Sequence, residues 1–159
     1  MIVLDTPVIM EILRPKPHKS VLEWLDAQDA QQLFLTAITV AELFASLENL
    51  ADSKQKAQVS TLMLEMLNQD FSGRLLPFDA QSAIIFAPLL AGNQNIEISL
   101  SYAELQKVAI CQQHQARLAT LDAHRFANSG IPLLNPWENQ GSPRWREDSA
   151  EYFVMSRKS

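Results

Sequence analysis

Short apolar runs with no polar alternation constrain this chain more than any other feature, because they describe strands covered on both faces. Ile2-Val3-Leu4, Leu33-Phe34-Leu35 and Arg117-Leu118-Ala119-Thr120-Leu121 read this way, with a weak strand at Arg74-Leu75-Leu76-Pro77 and a last one from Ile131 to Leu134. Helix signals stand between them. Thr6-Pro7 is an N-cap and first-turn pair, Val21 to Leu25 has amphipathic spacing, and Thr39-Val40-Ala41-Glu42 reads as a capping box. A long helix is expected from about Lys54 to Asn68, apolar at Val59, Leu62, Met63, Met66 and Leu67, with Gly73 ending the region. Asp79 can cap a helix carrying Ile84, Phe86 and Leu90, which Pro88 should kink or shorten. Ser101-Tyr102-Ala103-Glu104 is a second capping box, opening a helix through about His114, and a short helix is expected over Ala123 to Asn128. Right-handed crossovers place the helices of such βα units on both faces of a parallel sheet. The expected fold is therefore α/β, a three-layer α/β/α sandwich with a central parallel sheet.

A chain of 159 residues suits one domain, expected over residues 1–138. Beyond Asn135-Pro136-Trp137, residues 139–159 form a polar tail with Gly141, Ser142 and Pro143, interrupted by Trp145, Tyr152 and Phe153. That tail is expected to be peripheral, or anchored by its aromatics to its own surface or to a partner subunit. The 13 basic residues against 18 acidic ones leave a formal charge of -5, which repels a phosphate backbone unless metal ions or a local basic patch intervene. Cys111 is the single cysteine, so an intrachain disulfide and a cysteine-rich zinc site are excluded and a reducing, cytoplasmic setting is expected. Met1-Ile2-Val3-Leu4-Asp5 has no basic n-region and no apolar run approaches the roughly 18 residues of a membrane span, so neither secretion nor membrane insertion is expected. With 4 glycines there is no phosphate loop, and Ser99 and Ser101 lack a nucleophile elbow. His18, His114 and His124 are scattered, and no close pair suggests zinc.

Ligands of open parallel sheets bind beyond the carboxyl ends of the strands. Asp5 ends the first strand and Asp122 ends the strand containing Leu118. Glu42 is expected in the first turn of the helix after the Leu33 strand, and Glu104 in the first turn of the helix before the Leu118 strand. All four belong to one rim. Each also has a plainer role as a helix cap or capping-box member. Clustered carboxylates repel one another unless a cation shares the site, and hard oxygen ligands suit Mg²⁺ or Mn²⁺. Such ions activate water and neutralise a leaving oxygen, the chemistry of phosphodiester hydrolysis.

At these residues a resemblance becomes specific. Met1-Ile2-Val3-Leu4-Asp5-Thr6, Glu11 to Pro17, Thr36-Ala37-Ile38-Thr39-Val40-Ala41-Glu42-Leu43, Leu76-Pro77-Phe78-Asp79, Leu118-Ala119-Thr120 and Asn135-Pro136-Trp137 together resemble PIN-domain proteins of the VapC/FitB toxin type. The resemblance covers about residues 1 to 138. It implies a PIN fold, commonly dimeric, with a Mg²⁺- or Mn²⁺-dependent endoribonuclease site and a small cognate antitoxin; the acidic set falls on Asp5, Glu42, Glu104 and Asp122. A homodimer is also expected from a 47% hydrophobic content, and an antitoxin arginine is a fitting ligand for the acidic rim. This chain departs from the pattern at Pro7, where relatives carry asparagine, at Glu104, where they carry aspartate, and at Phe44, where many carry a basic residue. Those departures motivate a second reading, a catalytically weakened PIN domain retained as a protein- or RNA-binding module.

Overall fold

In the computed structural model, which describes residues 1–138, the Ile2–Leu4 triplet is β1, the middle strand of a five-stranded sheet. Leu33–Thr36 is β2, Leu75–Leu76 is β3, Arg117–Ala119 is β4 and Leu133–Leu134 is β5. Their order is β3-β2-β1-β4-β5, and every neighbouring pair is parallel. The helices are α1 (Thr6–Ile12), α2 (Lys19–Asp26), α3 (Ala37–Leu47), α4 (Ser53–Gln69), α5 (Ala80–Asn93) and α6 (Tyr102–Gln113). The three-layer α/β/α architecture follows from strand periodicity. Ile2 and Leu4 project into one apolar cluster with Val8, Ile9, Val21, Leu43 and Met63, whereas Val3, between them, joins Val108, Ile110, Leu118 and Phe126 in another. Successive β side chains point to opposite faces, so one triplet anchors both helical layers. The polar tail expected over residues 139–159, with Trp145, Tyr152 and Phe153, lies outside the described residues.

Two helix starts differ from expectation. Asp5, not Thr6, caps α1, because its carboxylate accepts from the Thr6 backbone N–H at 2.9 Å while Thr6 is already helical. Thr39 to Glu42 is not a capping box: α3 begins three residues earlier, where extended Thr36 accepts from the Thr39 N–H at 3.1 Å. Glu42 thereby moves from the first turn to the second. Thr36 is fully buried, so Thr36→Ala strands the Thr39 donor and is expected to cost about 1–2 kcal/mol, read by urea denaturation. The short helix expected over Ala123 to Asn128 is a series of turns, begun by an Arg125 N–H bond to the Asp122 carbonyl at 2.9 Å. Pro88 does not shorten α5, which runs through it to Asn93. Leu62, expected in the apolar stripe of α4, is exposed, while Met63 and Leu67 carry that helix's fully buried contacts.

Two carboxylates away from the rim pin helices together. Glu11 accepts from the His18 backbone N–H at 2.8 Å and from Arg14 at 3.2 Å, closing the turn between α1 and α2. Asp79 caps α5 through the Ser82 N–H at 2.9 Å and accepts from Gln113 of α6 at 3.2 Å. The His18 amide bond lowers the Glu11 pKa against the effect of burial, and the Ser82 amide, then Gln113, lower that of Asp79. The unfolded chain therefore binds more protons than the folded one in acid. This stabilisation is complete above the ordinary carboxylate values of about 4 and is lost as pH falls through the lowered folded values. Urea midpoints measured from neutral pH downward should hold level and then drop below about pH 4.5.

Candidate functional site

The strand order reverses direction beside β1: the chain proceeds outward through β2 and β3, then returns to lay β4 on the other side of β1. The crevice beyond the carboxyl ends of β1 and β4 is the topological switch point, where open α/β sheets bind ligands. Asp5 is the first residue past β1, and its N–H continues the ladder to the Ala119 carbonyl at 2.9 Å. Thr120 is the first residue past β4. Sheet pairing thus sets these two side chains next to each other, and the Thr120 hydroxyl donates to Asp5 Oδ2 at 2.8 Å.

The second carboxylate arrives from α3. Glu42 Oε1 accepts from the Thr6 hydroxyl at 2.9 Å, which ties the start of α1 to α3. Between Asp5 and Glu42 stands a cation that the sequence reading did not single out, the ammonium of Lys107. Its Nζ lies 2.7 Å from Asp5 Oδ1 and in direct contact with Glu42 Oε1. The lysine side chain is 3% exposed and that of Asp5 4%, whereas Glu42 at 38% reaches solvent. Burial disfavours the ammonium, but Asp5 first and then Glu42 outweigh it, so the Lys107 pKa is raised above the ordinary lysine value. One sequence signal was available: Lys107 directly precedes the apolar run Val108-Ala109-Ile110-Cys111, and the structure places it among the buried residues of α6. A charge there requires a partner of opposite sign.

Glu104 follows a different course. Its expected capping box is present, with Ser101 Oγ accepting from the Glu104 N–H at 3.2 Å and Glu104 Oε2 accepting from the Ser101 N–H at 2.7 Å. Arg125 then grips both oxygens, Nε on Oε1 at 3.0 Å and Nη2 on Oε2 at 2.8 Å, in a two-pronged pair. Burial raises the Glu104 pKa less than Arg125 and Ser101 lower it, and the net shift is downward. Asp122, partly buried, has its N–H bonded to the Thr120 hydroxyl at 3.2 Å and lies close enough to Arg125 to stabilise the guanidinium charge. Two cation-centred groups result: Asp5, Glu42 and Lys107 at the switch point, and Glu104, Asp122 and Arg125 beside it.

This arrangement bears directly on the expected metal. Asp5 already accepts three donors, from the Thr6 N–H, Lys107 and Thr120, and Glu42 shares the same lysine. Among the described residues no three or more Asp, Glu, His or Cys side chains are placed to hold a metal ion together. As arranged, the Lys107 ammonium holds Asp5 Oδ1 and Glu42 Oε1 and the Arg125 guanidinium holds both oxygens of Glu104, so those oxygens are engaged by internal cations rather than free for Mg²⁺ or Mn²⁺. His18 is spent on capping α2, where its ring nitrogen accepts from the Ser20 N–H at 3.3 Å. Cys111, buried behind the site, has its thiol pushed up to about 12 by burial and then by the Asp5 charge, so it is inert as a nucleophile.

The PIN domain family model matches residues 2–130. Toxin FitB of Neisseria gonorrhoeae is 34% identical over 139 residues, which span 87% of this chain and 100% of the relative. VapC ribonuclease Y4jK of Sinorhizobium fredii is 35% identical over 138 residues, 87% of this chain and 99% of the relative. A crystal structure of FitAcB from Neisseria gonorrhoeae superposes with a TM-score of 0.76 at 36% identity, covering 87% of this chain and 99% of that one.

Proposed function

The chain belongs to the PIN-domain family, and on that premise we propose that it is the toxin member of a toxin–antitoxin pair, an endoribonuclease acting on RNA phosphodiester bonds. The observation that carries this reading is positional. Asp5, Glu42, Glu104 and Asp122 lie around the switch-point end of the sheet in a chain about one-third identical to Toxin FitB and to a VapC ribonuclease. Glu42, the solvent-reaching carboxylate of the central group, is the side chain best placed to meet an RNA or a water molecule there. No step of cleavage is assigned to Mg²⁺ or Mn²⁺, since the side chains as arranged do not form a metal-binding set.

The reading includes a small antitoxin, because a nuclease able to cut cellular RNA must be restrained, and a homodimer. Among the described residues no helix is long and apolar enough to cross a membrane. Structured RNA incubated with the protein should be cleaved, with activity lost in Asp5→Asn; equal cleavage by that variant would overturn the nuclease reading. Assays with added Mg²⁺, added Mn²⁺ and chelator report the metal dependence. Expression should arrest growth, and co-expression of the antitoxin should relieve it.

The Lys107 and Arg125 ion pairs favour a second reading, a PIN domain that binds RNA or protein without turnover. Retained RNA or partner binding with no cleavage under any of those conditions selects it over the first.

A further inference from the structure

We propose that Lys107 is a built-in counter-cation occupying the seat between Asp5 and Glu42, so that this PIN domain assembles its central acidic pair without a metal and excludes divalent ions from it. The two carboxylates come from different elements, one at the end of β1 and one on α3. Brought together alone they would repel each other, and burial would sharpen the repulsion. The α6 ammonium contacts both and is as buried as Asp5 itself, so it removes that repulsion from inside the fold. It is tethered to the same chain, so its concentration at the seat is independent of the metal content of the surroundings.

Entry of a divalent ion would require Asp5 to release some of its three donors and Lys107 to lose its carboxylate partners while held on a buried helix face. Stripping one partner from a buried ion pair is strongly unfavourable. The neighbouring acid offers no alternative seat, because Arg125 covers both oxygens of Glu104. Both groups thus contain an internal cation of the kind a docking arginine or a metal would otherwise supply. The inference rests on the geometry of the Asp5, Glu42 and Lys107 group and does not depend on RNA cleavage.

Calorimetric titration and thermal melting with Mn²⁺, in the absence of RNA, test it. The wild-type protein should give no saturable heat and no shift in Tm at millimolar Mn²⁺. Lys107→Met should bind Mn²⁺ at least tenfold more tightly than wild type and gain Tm with it, and Asp5→Asn in the Lys107→Met background should abolish both responses. Micromolar binding by wild type, or a folded Lys107→Met protein that ignores Mn²⁺, would overturn the proposal. If Lys107→Met does not fold without metal, recovery of its circular dichroism on adding Mn²⁺ supports the proposal. If it folds under neither condition, the wild-type titration decides alone. Because no arm measures cleavage, failure here is separable from failure of the nuclease reading.

Discussion

Lys107→Met is expected to lower folding stability by about 3–5 kcal/mol, the loss seen when one member of a buried ion pair is removed. The substitution keeps an unbranched side chain of similar length, so the loss isolates the charge. Asp5 would keep its bonds from the Thr6 N–H and Thr120 but carry a buried negative charge with no counter-ion, facing Glu42 across the vacated seat. Urea denaturation at neutral pH measures the effect. A double variant, Asp5→Asn with Lys107→Met, should recover most of the loss, because removing both charges of a buried pair is often close to neutral. Non-additivity of the two substitutions is the signature of direct coupling. A loss below about 1 kcal/mol in the single variant would mean that the ammonium is not paired as the structure places it.

Leu118→Ala is expected to cost about 2–5 kcal/mol, the range for truncating a fully buried leucine. Leu118 is completely buried on β4, between β1 and β5, where it packs with Val3, Val108, Ile110 and Phe126. The helix that carries Lys107, α6, contributes Val108 and Ile110 to the same cluster, so a cavity there is bordered by the support of the site. Leu62→Ala is the matched control: that leucine is 55% exposed, so its truncation should stay within about 0.5 kcal/mol of wild type. Chemical denaturation of both variants reads the contrast.

Those two leucines mark where sequence reasoning succeeds and where it stops. Leu118 was legible because strands buried on both faces leave a continuous apolar run, and the same signal identified Ile2 to Leu4 and Leu33 to Leu35. Leu62 was not, because a long helix with apolar residues all along one side does not say how much of that side a neighbour covers. The caps divide similarly. The Ser101–Glu104 capping box and the Asp79 cap rest on local hydrogen bonds and were read directly. Thr36 was missed because the better local match, Thr39 to Glu42, lay three residues on, and only the end of β2 decides where the backbone turns helical.

Residue pattern alone determined the alternation of strands and helices, the parallel sheet between two helical layers, and the placing of Asp5, Glu42, Glu104 and Asp122 near one end of that sheet. These follow from periodicity and connection rules, which act over short stretches of chain. Tertiary structure alone decided how the acids are neutralised. Asp5 and Lys107 are separated by 102 positions, and Glu42 lies between them in the chain yet reaches the same ammonium. Coulombic pairing depends on distance in space and on burial, neither of which has a period in the sequence. A lysine beside an apolar run therefore points to a partner, and only the tertiary fold identifies Asp5 and Glu42 as that partner.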